Sequence, residues 1–159
     1  MALREDREIY KESIRYTCDA AADAGDVLVV KTTGSGVVLG TSAGVASLVA
    51  NPSGYTVHGM LTHNVVSIDE TLYRRNFHKG DQKLNEPCCV VRHGLLVTDS
   101  LKSGDTPTDG EIAYLTLNGE LTKTMSSTGG LVATPKVGHF KGKIDADGFI
   151  PVEINLPIV

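Results

Sequence analysis

The chain has 159 residues, of which 41% are hydrophobic and 21% charged, with 17 glycines, no tryptophan and a formal net charge of −4. A single domain of that length buries roughly 68 to 70% of the surface its unfolded chain exposes, so it can hold a core without staples. No apolar run approaches a membrane span, the acidic balance argues against general nucleic-acid binding, and three cysteines, two of them adjacent, do not form the evenly spaced pairs of a disulfide framework.

Free thiols in a reducing compartment are therefore expected. The opening MALREDREIYKE has no apolar segment behind its basic residues, which leads us to expect no cleaved secretory signal and synthesis in a cytoplasm. Charge is uneven along the chain. Residues 1 to 26 hold four basic and seven acidic groups, whereas Tyr73 to His93 hold five basic and two acidic. Opposed fields of this kind help identical subunits or a second protein to dock.

The first 25 residues read as an N-terminal arm and residues 26–159 as one β domain. Tyr10, Ile14, Cys18 and Ala21 fall on one helical stripe, while Ile14, Tyr16 and Cys18 alternate as in a strand. The arm is thus extended or short-helical, with the balance towards an extended arm ending in a turn at Ala24-Gly25. Its first dozen residues are almost all polar and have little to bury, so they either stay mobile or become ordered on a partner.

From Asp26 the pattern is β. DVLVVK, VVLG and VASLVA are short apolar runs, and after Asn51-Pro52-Ser53-Gly54 the segments YTVHGML and HNVVSI follow as extended runs. A long charged stretch, residues 69–87, precedes Cys88 to Val91. Leu95 to Thr98, after His93-Gly94, reads as a neighbouring strand. EIAYLTL and GELTKT form a hairpin about Asn118-Gly119, and VGHFKGKI and FIPVEINL form a closing hairpin about Asp147-Gly148. In that last run Ile150, Val152, Ile154 and Leu156 alternate with Phe149, Pro151, Glu153 and Asn155, which commits one face to the core. Short strands with turn signals every eight to twelve residues predict a mainly β chain, a single-domain β-sandwich or β-barrel.

Chemistry-bearing patterns are weak. Cys89 and His93 would lie roughly 13 Å apart along a strand, too far to share one ion, and His58 and His63 would face opposite sides, as would Cys88 and Cys89. Asp145-Ala146-Asp147-Gly148 resembles part of a calcium loop. If Gly148 took its sixth position, however, Lys143 would replace the first carboxylate and Ile154 the closing glutamate. Gly34-Ser35-Gly36 is not followed by a helix that could hold a pyrophosphate, and Ser35 lacks nucleophile-elbow spacing. No catalytic residue, metal or cofactor is expected. The unusual segment is Tyr73-Arg74-Arg75-Asn76-Phe77-His78-Lys79, whose interleaved aromatics and cations suit a protein interface. Phe77 tucked into the core, with the charges solvated, is the plain structural alternative.

HNVVSIDETLYRRNFHKGDQ, VVRHGLLVTD, GEIAYLTLNGELT and VGHFKGKIDADGFIPVEINLP together resemble the capsid decoration, or cement, proteins of tailed bacteriophages, over roughly Val27 to Pro157. The resemblance implies a small, mainly β, non-enzymatic protein on the outer surface of the virion. It would bind and bridge major capsid subunits, usually as a homo-oligomer, with a trimer expected ahead of a dimer. It implies no direct contact with nucleic acid or membrane. Two surfaces are then expected to make contacts: the arm with Arg4, Arg7 and Tyr10, and the loop with Tyr73, Arg74, Arg75, Phe77, His78 and Lys79. A carbohydrate- or host-surface-binding β module of a virion is the alternative, disfavoured by the absence of tryptophan; a hydrolase ranks third.

Overall fold

The computed structural model describes residues 3–12, 16–32, 44–67, 81–125 and 134–157. The mainly β expectation holds. The strands in chain order are β1 (Leu3–Glu12), β2 (Tyr16–Cys18), β3 (Val27–Thr32), β4 (Gly44–Ser47), β5 (Thr56–Leu61), β6 (Val65–Val66), β7 (Gln82–Lys83), β8 (Val90–Thr98), β9 (Ile112–Leu115), β10 (Leu121–Thr122), β11 (Lys136–Phe140) and β12 (Ile150–Asn155). Strands β6 and β7 form a small parallel pair, and the other ten form one mixed sheet.

β8 is the axis of that sheet. β1 runs antiparallel to it from Leu3 against Thr98 to Glu12 against Val90 and so takes one edge. The opposite edge is divided: β12 pairs with residues 93–98 and β5 with Val90 and Val91. Two wings therefore leave β8 from the same side. One wing, β5–β3–β4–β2, returns to the chain just ahead of β8 through a bridge between Thr17 and Pro87. The other, β12–β11–β9–β10, returns just after it through a bridge between Leu101 and Leu121. Each wing becomes a ring of strands closed on one end of β8, which removes most of the open edge a sheet of this size would otherwise present.

The two rings explain the apolar pattern. Leu28 joins Cys18, Ala22, Ala46, Leu61, Val65, Cys88 and Val90 in a small cluster within the first ring. Its neighbours Val27 and Val29 point the other way and pack with Leu96, Leu115, Phe140, Ile150, Val152 and Ile154. β3 is buried on both faces, and so DVLVVK is apolar without alternation.

Two expectations are corrected. Residues 88–91 and 95–98 are not a strand and its neighbour but parts of one chain direction, with Val90–Thr98 a single strand. Gly94, at φ 154°, keeps the backbone extended, and the ladders to β1 and β12 both run through it. The short-helical alternative for the arm also fails over residues 3–12 and 16–18, which are extended. Pairing with a segment some eighty residues away overrides the alanine-rich helical stripe.

The turns obey their residues. Asn118 and Gly119, both at positive φ (58° and 84°), sit in a 3-10 turn, Leu117–Gly119, between β9 and β10. In the closing hairpin Asp145 Oδ1 accepts the N–H groups of Asp147 (3.0 Å) and Phe149 (2.8 Å). The carboxylate that resembled a calcium ligand instead organises its own turn. Ile150, Val152, Ile154 and Leu156 are all buried as expected.

Candidate interaction surface

The arm and the outer face of the second wing form the surface with most to offer a partner. β1 and β2 follow the same line: residues 3–12 pair with 90–98, and further along Cys88 N–H donates to Tyr16 O (3.1 Å) and Cys18 N–H to Glu86 O (3.4 Å). Residues 3–12 thus lie antiparallel to 90–98, and residues 16–18 run against 86–88. The register sets Arg4 opposite Val97, Arg7 opposite Leu95 and Tyr10 opposite His93. Continued across β8, the same rows reach Pro151, Glu153 and Asn155 on β12, and from Glu153 they reach His139 on β11 and Ile112 on β9.

His93, Leu95, Val97, Pro151, Glu153 and His139 are half-buried, and Ile112 is exposed. Each lies across the pleat from a core residue, which is why the face is only partly apolar. Its charges are locally paired. Lys141 Nζ stands 2.8 Å from Glu153 Oε2; that hydrogen bond from Lys141 lowers the Glu153 pKa, and the same bond raises that of Lys141. His93 Nδ1 and Asn155 Oδ1 are 3.2 Å apart, and Lys136 Nζ and His139 Nε2 are also 3.2 Å apart. These contacts fix polar groups in rows that a flat protein partner can meet.

Arg4, Arg7 and Tyr10 are brought into one ladder. Tyr73, Arg74, Arg75, Phe77, His78 and Lys79 lie outside the described residues, as does Gly34-Ser35-Gly36.

No family model matches the chain, and no curated protein is significantly similar to it.

Two further places hold buried polar groups, of which the sequence singles out only His58, weighed with His63 as a metal ligand. A cleft of about 450 Å³ is lined by Asp23, Asp26, Val65, Ser67, Asn118 and Glu120 among others. Asp26 is 5% exposed; burial raises its pKa, although the Asp23 N–H (3.0 Å to Oδ2) and the Ser100 hydroxyl (3.0 Å to Oδ1) both donate to it. Ser100 is 74 positions away, so no local signal in the sequence marks this pair. Among the described residues no group of three or more His, Cys, Asp or Glu is placed to hold a metal ion.

The second place is the junction where the edge of β8 passes from β5 to β12. Arg92, 5% exposed, donates from Nη2 to Pro157 O (2.6 Å), while its own carbonyl accepts Leu156 N–H (2.9 Å). Beside it His58, 1% exposed, lies against Tyr16 with ring centroids 4.3 Å apart. Burial first, then the Arg92 charge, lowers the His58 pKa to about 4. Both groups are enclosed, His58 against Tyr16 within the first ring and Arg92 on the chain that follows β12, so their role is cohesion rather than contact.

Proposed function

We propose that the protein is a non-enzymatic capsid decoration or cement protein, which attaches to the outer surface of an assembled phage shell and strengthens the contacts between major capsid subunits. The observation that carries this reading is where the resembling segments lie. VVRHGLLVTD supplies all of β8, GEIAYLTLNGELT supplies β9 and β10, and VGHFKGKIDADGFIPVEINLP supplies most of β11 and all of β12. These five strands are neighbours in the second ring, and β8, β9, β11 and β12 carry the half-exposed outer face. Three of the four resembling segments thus fall on adjacent strands, while the fourth, HNVVSIDETLYRRNFHKGDQ, holds β6 and enters β7 in the separate small pair and otherwise lies mostly outside the described residues.

A cement adds many modest contacts, and repeated engagement of oligomers with a symmetric lattice multiplies them through avidity. A chain made in the host cytoplasm and carried on the virion exterior needs surfaces for this and no catalytic centre. The reading is tested by co-sedimentation with expanded, undecorated shells. Saturable binding is expected, and a protein that stays in the supernatant at every concentration refutes it. Deleting residues 1–12 should abolish shell binding while leaving the remaining domain folded; undiminished binding removes the arm from the contact. Replacing Arg74, Arg75 and Phe77 by alanine should weaken shell attachment or self-association, and if neither changes that loop has no part in either.

A further inference from the structure

The two halves of the arm are held differently. β2 is gripped on both edges, by β4 in parallel and by residues 86–88 on the other side, and Cys18 is fully buried. β1 pairs, among the described residues, only with β8, and three irregularities interrupt a ladder of ten residues. Neither bridge that closes a ring involves it. Both rings close without β1.

β8 is the reverse. Its far edge is fastened by β5 and β12 and its ends lead into the two ring closures, so the edge facing β1 keeps its shape whether or not β1 is present. A fixed edge from Val90 to Thr98 has backbone N–H and C=O groups that require a partner strand. We propose that this edge is a strand-acceptor site and that its occupant in the assembled protein is β1 of a second copy, so that subunits are joined by exchange of Leu3–Glu12.

The fit is already visible within one chain. Leu3 of one copy meets Thr98 of the other, Glu12 meets Val90, and the ladder broken when β1 swings out re-forms in the same register between chains. Exchange of an identical element is for this reason a low-cost route to an oligomer. Seven charged residues among the ten of LREDREIYKE make the strand a poor general adhesive, which favours the edge that matches its register over unrelated edges. The inference concerns assembly of the chain with itself and stands apart from shell binding, so either can fail without the other.

Two single variants separate exchange from pairing within one chain. Arg4→Cys and Val97→Cys, at directly opposed ladder positions, are made separately in full-length protein carrying Cys89→Ser, then mixed and oxidised. Opposed positions in an antiparallel pair lie within the range a disulfide spans. A disulfide-linked heterodimer is expected as the main covalent product, well beyond the twofold excess over either homodimer that random pairing gives. If the mixture yields no heterodimer while the double variant forms a bond only within its own chain, β1 stays in place and the proposal is overturned. Heterodimer in no more than the twofold excess over either homodimer that random pairing gives would mean random collision and would also overturn it. So would the absence of any cross-link in both samples, since the ladder itself would then not form.

Discussion

Lowering the pH should destabilise this protein chiefly through His58. An unfolded imidazole titrates near 6.5, whereas burial, and secondarily Arg92, hold the folded His58 at about 4. The folded state therefore binds the proton less well than the unfolded chain. The associated stability is complete above pH 6.5 and is lost as the pH falls towards 4. With these two values the loss is about 2 kcal/mol at pH 5 and about 3 kcal/mol once both states are protonated. Asp26 acts in the opposite direction: its raised pKa lets the folded state take up a proton more readily, adding stability as the pH falls. Asp19 adds to the acid loss. Partial burial raises its pKa, but hydrogen bonds from Lys31 and Ser47 lower it further, so the carboxylate is favoured in the fold.

The assay is urea unfolding at pH 7.5 and pH 5 for the native protein and for His58→Phe, which keeps an aromatic ring beside Tyr16 and removes the titration. The native midpoint should drop on acidification and that of the variant should drop much less. Parallel profiles, or a resonance assigned to His58 titrating at 6.5 in the folded protein, would refute the reasoning. Arg92→Met should raise the His58 pKa only part of the way, because burial is the larger cause.

Three shorter expectations follow from the packing. A Cβ at position 138 would collide with the Glu153 carbonyl of the paired strand, so Gly138→Ala should cost about 3 kcal/mol or more and lower the thermal midpoint by several degrees; an unchanged midpoint would mean β11 and β12 are not so closely apposed. Asp145→Ala removes the acceptor for two backbone N–H groups and should cost about 1 to 2 kcal/mol, while added calcium should leave the native melting curve unmoved. Of the three thiols, Cys89 is half-buried whereas Cys18 and Cys88 are buried, and burial raises the Cys18 pKa; an aromatic disulfide reagent should modify Cys89 first and the other two only on unfolding.

What could be read from the sequence was local. Period-2 alternation identified the buried face Ile150, Val152, Ile154 and Leu156, and Asn118-Gly119 named its own turn because both residues tolerate positive φ. What escaped was decided across long separations. His93-Gly94 looks like a turn until β1 and β12 are laid along both edges of β8, and the helical stripe in the arm loses to a ladder with residues 86–98. Asp26 and Ser100 are ordinary residues until the fold brings them to 3.0 Å, and His58 differs from any other histidine only by what covers it. Of the proposed interface, the residue types in the arm were legible, but the row that places Arg7 opposite Leu95 and Glu153 beyond it exists only in the assembled sheet.

The closure of both rings on β8 has a consequence for aggregation. A sheet with free ends has edges that recruit other chains; here Thr17–Pro87 and Leu101–Leu121 close the two wings, and among the described residues the longest open edge is that of β1. The charges of LREDREIYKE then act as guards for that edge, because pairing an arbitrary strand there would desolvate them without matched partners. Replacing Arg7 with valine and Glu8 with threonine should convert the middle of β1 into Val-Thr-Ile-Tyr, a run of high β propensity and no charge. The double variant should keep the native far-ultraviolet circular dichroism yet form large species on standing at neutral pH, seen as rising light scattering and thioflavin fluorescence. A variant as soluble as the native protein would show that the edge is protected by something other than its charge.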